Sequence, residues 1–231
     1  MITIPTTELI GCLADVLPQI SDEKSALAGV KIEWDGESLH FTTYDVLSGA
    51  TVLWTPGEGP EEEADDEQED IRWGGDDAPW ATWIWLASAK EILKLFKLPA
   101  KLWRVPVTVK CSTSRDRLII ERTDSPRGER LLTVPADPEQ LKNIPDVRAV
   151  ADRVGRQLGA IPIGAAFTTS RLGAFGAVRP HAGLTLHFGA DGDPVGIHVG
   201  SRFAGFIYQA GARNVRPFNL LRDGAGVVTS N

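Results

Sequence analysis

The chain repeats one supersecondary unit, strand, helix, then three strands, and a repeat of that kind constrains the fold more than any single motif. The second copy is the plainest. Trp80-Ala-Thr-Trp-Ile-Trp-Leu-Ala87 is aromatic and β-branched and predicts a strand. Ser88 is placed to cap a helix over Ala89–Leu98, which Pro99 closes. Strands follow at Val105–Lys110, Arg117–Arg122 and Glu129–Val134, separated by turn-rich pieces. The first copy occupies residues 1–54. It has an edge strand at Met1–Pro5 and a helix capped by Thr6 or Thr7, with Leu9, Ile10, Leu13, Val16 and Leu17 at helical spacing. Gly29–Trp34 and Ser38–Thr43 then alternate around the Asp35-Gly36 turn, and Ser48–Trp54 follows. The third copy begins with a strand at Ile161–Phe167 and a helix from Thr168 or Thr169 to Val178. It ends with strands at Leu184–Phe188, Pro194–Val199 and Phe203–Tyr208. A connector, Pro135–Pro145, and a short helix, Arg148–Leu158, lie between the second and third copies, and Asn214–Asn231 is a tail.

Net charge is −7 over 231 residues, which argues against a nucleic-acid partner until its placement is read. Eleven of the acids lie between Pro56 and Pro79 with one base, Arg72, and the rest of the chain carries three more bases than acids. The segment at about 56–79 therefore predicts an acidic, disordered insertion in an otherwise near-neutral fold. It is either a solubilising insertion or a phosphate mimic that competes for a basic surface.

One such surface is the helix of the second copy. Lys90, Lys94, Lys97 and Lys101 follow spacings of four, three and four, while Ile92, Leu93, Leu95 and Phe96 fill the apolar side. A stripe of this kind is either a solvated face or a phosphate-facing one.

Other chemistry is missing from the sequence. There is no Walker-type glycine loop, no Gly-x-Ser-x-Gly elbow and no His-Glu-x-x-His, so no catalytic residue is assigned. His187 and His198 face each other across the last hairpin without a third ligand, and Cys12 and Cys111 lack zinc spacing, so no metal or cofactor is expected. With no apolar run of membrane-spanning length and no signal peptide, the expectation is a cytoplasmic protein with reduced thiols.

In order and in local wording the chain resembles the bacterial DNA polymerase III β sliding clamp family. Glu8-Leu-Ile-Gly-Cys-Leu-Ala-Asp-Val-Leu-Pro18 resembles that family's first helix. Leu27-Ala-Gly-Val30 followed by Leu39-His-Phe-Thr-Thr-Tyr-Asp45 resembles its next strands. Leu86–Leu98 is similar to the second helix, and Val134-Pro-Ala-Asp-Pro138 through Pro145 to the linker that closes the first domain. Gly192-Asp-Pro-Val195 and Phe203-Ala-Gly-Phe-Ile-Tyr208 resemble the final hairpin and last strand. Coverage is about 1–146 and 163–210.

The resemblance implies an α+β sliding-clamp fold, with helices inside a ring, antiparallel sheets outside, and duplex DNA threaded without sequence readout. It implies a complete clamp-like domain at 1–146, a shorter one at 147–213 and a tail at 214–231. Lys90, Lys94, Lys97, Lys101, Arg171 and Arg179 become the DNA-binding candidates. The first helix departs, because it carries Glu8 and Asp15 and no base. Phe203, Phe206, Ile207 and Tyr208 are candidates for a partner pocket or subunit interface. Phe218, Leu220 and Leu221 loosely resemble a client peptide. The implied partners are a DNA polymerase and a clamp loader, bound through short peptides. The assembly is a homo-oligomer, trimer or tetramer according to whether 147–162 supplies a further repeat. The shortened length leaves a second reading open, a clamp-like decoy or regulator that binds replication proteins without encircling DNA.

Overall fold

A computed structural model describes residues 1–20, 25, 27–45, 48–57, 71, 73–75, 78–98, 105–122, 130–156, 167, 169–179, 183–189 and 193–208. The first unit is β1 (Ile2–Pro5), α1 (Thr6–Val16), β2 (Gly29–Trp34), β3 (Leu39–Asp45) and β4 (Ser48–Trp54). The second is β5 (Trp80–Trp85), α2 (Leu86–Phe96), β6 (Pro106–Cys111), β7 (Arg117–Arg122) and β8 (Arg130–Pro135). After α3 (Val147–Arg156) come α4 (Thr169–Phe175), β9 (Leu184–Phe188), β10 (Val195–Val199) and β11 (Phe203–Ile207). The expected strand at 161–167 and the tail lie outside the described residues, apart from Phe167.

Neither expected helix cap is used. Each leading strand runs straight into its helix, and both Pro5 and Trp85, the residues before the helices, make no side-chain cap. Ser88 therefore sits inside α2. The first backbone N–H of each helix donates instead to a carbonyl of a neighbouring segment, Thr6 to Val105 and Leu86 to Ala28, at 2.8 and 3.0 Å. A tertiary acceptor thus satisfies a donor that a cap would otherwise take. At the other end Lys97 is already in extended conformation, two residues before Pro99, so α2 stops at Phe96. The Asp35-Gly36 turn forms as expected. Asp35 Oδ1 accepts from the Glu37 and Ser38 amides, and Gly36 takes φ +107°, a region open to glycine.

The two units exchange leading strands. One sheet has the order β1-β6-β7-β8, and the other β5-β2-β3-β4-β11-β10-β9, with every pairing antiparallel. β1 of the first unit pairs with β6 of the second, and β5 of the second pairs with β2 of the first. Neither unit is then complete without the other. The last strand among the described residues, β11, lies against β4, with Gly205 opposite Ala50, and so joins the third unit to the first.

Alternation along the seven-stranded sheet separates two apolar layers. Val30, Ile32, Phe41, Val52, Ile197 and Phe203 face α1, α2 and α4 in the main core, together with Leu9, Leu13, Ile92, Phe96 and Phe175. Tyr44, Trp83 and Phe206 point the other way and are covered by Ile144, Val147 and Val150. The connector from Ala136 to Arg156 therefore crosses the opposite face of the sheet from the other helices. It starts at β5, where the Asp137 amide donates to the Trp83 carbonyl, and ends with α3 over β11 and β10. Asp146 starts α3 by accepting from the Ala149 amide at 2.9 Å. Missing side chains allow that close approach. A Cβ on Gly49 would sit 2.9 Å from Phe206 and 3.0 Å from Val147, and one on Gly196 would sit 2.9 Å from the Ala151 carbonyl.

Candidate nucleic-acid interface

The basic face of α2 follows from its packing. Leu86, Ala89, Ile92 and Phe96 are buried at helical spacing, which turns Lys90, Glu91 and Lys94 outward. Lys97 is exposed just beyond the helix end, and Lys94 lies in the last turn, where a cation complements the helix dipole. Lys101 lies outside the described residues. The Arg122 guanidinium, fully buried, stacks on the inner side of the same helix, 5.6 Å from the Phe96 ring centroid.

Arg171 and Arg179 have a different setting. Arg171 lies 3.3 Å from Asp45 and 3.5 Å from the Ser48 hydroxyl. Arg179 lies 3.4 Å from Asp15 through Nε, and its backbone amide donates to the same carboxylate at 3.0 Å. Its guanidinium covers Gly11, where a Cβ would collide with it. A third arginine, Arg202, was not singled out by the sequence reading. It donates to Glu8 at 2.6 Å, to the Leu53 carbonyl at 3.0 Å and to Cys12 Sγ at 3.6 Å. Three arginines of the third unit thus meet three acids of the first. The sequence shows α1 as an acidic departure, and the structure shows where that charge goes. Glu8 and Asp15 face cations supplied from Arg179 onward. The only signal for this in the sequence is the unbalanced charge of α1.

Burial dominates the titration of this seam. It pushes Asp15 above the usual carboxylate range, against the lowering effect of Arg179, and pushes the Cys12 thiol up to about 12.

The partner candidates divide by face. Phe203 is in the main core, edge-on to Phe175 at 5.9 Å, and Ile207 is also fully buried there. Phe206 lies under α3, 6.3 Å from Tyr44. Tyr208 is half-buried beside Phe206 at 6.0 Å and is the accessible member of the group. Phe218, Leu220 and Leu221 lie outside the described residues. Between the connector and the outer sheet face is a cleft of about 590 Å³, lined by both signs of charge, including Lys31, Glu33, His40, Arg148 and Asp152. Among the described residues no cluster of His, Cys, Asp and Glu could hold a metal, and no helix is long and apolar enough to cross a membrane.

Two strand-exchanged units with helices on one side of their sheets, extended edge to edge by a third, define the sliding-clamp fold. Solved structures of DNA polymerase III β subunits share it over almost all of this chain. The sliding clamp of Bacillus subtilis superposes with a TM-score of 0.61 at 12% identity, covering 90% of this chain and 63% of that one. The β subunit of Thermotoga maritima gives 0.59 at 8% identity, covering 90% and 64%. That of Pseudomonas aeruginosa gives 0.55 at 11% identity, again covering 90% and 64%. The chain is thus an α+β clamp fold that spans somewhat under two thirds of the length of these neighbours. No protein-family model matches the sequence, and no curated protein matches it by sequence.

Proposed function

We propose that this protein is a DNA sliding clamp, a processivity factor that encircles duplex DNA as a homo-oligomeric ring and tethers a DNA polymerase, with no reaction of its own. The observation that supports this most is the exposed basic face of α2, on the helix side of a clamp fold. Lys90, Lys94 and Lys97 offer ammonium groups to phosphates without reading bases, which suits a ring that slides. Arg171 and Arg179 belong to the same proposed inner surface, but their charge is matched by Asp45 and Asp15, so α2 carries most of the attraction. A polymerase or clamp-loader peptide would meet the accessible edge of Tyr208 rather than the buried Phe203, Phe206 and Ile207. Replacing Lys94 and Lys97 by Glu and measuring retention on closed circular duplex DNA tests the reading. Retention should collapse, and unchanged retention would overturn it.

The matched arginines favour a second reading, a clamp-like regulator that binds replication proteins without encircling DNA. It predicts no retention on DNA for the native chain, with direct binding to a clamp or polymerase retained.

A further inference from the structure

The polar cleft between the connector and the outer sheet face has no part in holding DNA on the inner face. Its floor is β2, β3 and β4, and one wall is α3. It lies toward the His40 end of β3, whereas Tyr208 follows Ile207, which pairs with Ser48 at the opposite end of β4, so the two surfaces are distinct. The acids of the cleft are already engaged. Glu33 pairs with Lys31 at 2.6 Å, Asp35 with His40 at 2.8 Å and Asp152 with His198 at 3.1 Å, while Asp146 accepts from the Ala149 amide. Its two guanidinium groups have no acid. Arg148 reaches the Ser201 and Arg202 carbonyls at 3.4 and 3.3 Å, and its Nε is buried without an acceptor. Arg156 is exposed, and no described residue accepts from it. The floor adds a further donor. Thr42 and Thr51, 6% and 3% exposed, hold their hydroxyls 2.9 Å apart. One bond between two hydroxyls uses one of their two protons, so the other has no acceptor among the described residues. Buried donors in that state are destabilising, and an entering anion supplies the acceptor.

The spacing of the two arginines suits one kind of anion. Arg148 and Arg156 both lie on α3 and line the cleft, about 12 Å apart along the helix axis. An extended peptide advances about 3.3 Å per residue, so two acids about four positions apart share one face and span that distance. Ile144, Pro145 and Val147 add apolar contact for the stretch between them. We infer that the cleft docks an extended acidic segment of a partner protein. One carboxylate accepts from Arg148, the next from Arg156, and the free threonine hydroxyl donates from the floor. The contact stands whether or not the chain encircles DNA.

Fluorescence anisotropy on the full chain with a labelled peptide, Gly-Glu-Thr-Gly-Thr-Glu-Gly, tests this. Binding should saturate, and the same peptide with both Glu replaced by Gln should bind about tenfold or more weakly. R148Q/R156Q should lose about tenfold or more, and Arg156→Gln alone roughly fivefold. Arg156 is exposed and unpaired, so the single change reads the site even if the double variant fails to fold. The His40 imidazole signals should shift in the NMR spectrum as peptide is added. No saturable binding by the native chain, equal binding by Arg156→Gln, or unshifted His40 signals each overturns the inference. Loss of binding in K94Q/K97Q would place the peptide on α2 and overturn it as well. Succinate that competes at the peptide's own concentration would mark a site for small free anions instead, and the inference falls.

Discussion

Arg202 donates to Glu8 at 2.6 Å across 194 positions of sequence, which binds the last turn of the third unit to the first turn of the first helix. The same guanidinium holds the Leu53 carbonyl, and the Leu53 amide donates back to the Arg202 carbonyl at 3.0 Å. This side chain is the hub of the junction between the units.

Arg202→Met should therefore lower stability by about 2 kcal/mol, because a partly buried carboxylate and a carbonyl lose their donor. Urea unfolding measures it. Combined with Glu8→Gln, the loss should be clearly less than the sum of the two single changes, the mark of direct coupling. Strict additivity would count against the pair.

Asp15 predicts a pH dependence. Burial raises its folded-state affinity for a proton above that of the unfolded chain. Over the carboxylate range the native state then binds more protons than the unfolded one, so this group's contribution to stability falls as pH rises. Asp15→Asn should remove that contribution. The stability difference between variant and native chain should shift in the variant's favour from acid toward neutral pH. A difference that does not change with pH would contradict the assignment.

Phe206 is 2% exposed and fills the space between Tyr44 and α3. Phe206→Ala should cost about 3–5 kcal/mol, as large core deletions do. Proteolysis of the connector should quicken with it if the outer layer depends on this contact. Gly205→Ala acts on the same strand, because its Cβ would lie 2.7 Å from the Gly49 carbonyl. About 1–3 kcal/mol is expected, read from the thermal midpoint.

The two thiols should differ in reactivity. Cys12 is buried with its pKa pushed up to about 12, so alkylation at neutral pH should wait for unfolding. Cys111 is partly exposed with a pKa raised mainly by burial, and should react slowly in the folded chain. Peptide mapping after timed iodoacetamide treatment separates them.

On DNA, charge reversal at Lys94 and Lys97 should also flatten the salt dependence of retention, by roughly 0.9 in log–log slope for each phosphate contact removed. A slope equal to that of the native chain would place phosphate binding elsewhere.

Much of this architecture is legible along the chain, since strand alternation and helical spacing are local. Leu9, Leu13 and Val16 announce α1, and Ile92 with Phe96 announces the buried side of α2. The lysine stripe is legible for the same reason, because residues four apart share a helix face. The local spacing starts the second helix at Ser88, whereas α2 begins at Leu86, because the acceptor for its first amide is the Ala28 carbonyl, which no local rule can supply. The covering of Phe206 by Val147 likewise depends on a connector laid across the far side of the sheet.

Periodicity by itself determined the repeated unit, the order of its elements and the basic face of α2. Only the tertiary structure decided that β1 and β5 change places between units, that β11 closes on β4, and that Arg171, Arg179 and Arg202 face Asp45, Asp15 and Glu8. Alternation tells a strand which face to bury but does not name its neighbour. An arginine far along the chain finds its carboxylate only after the sheets have brought the two together.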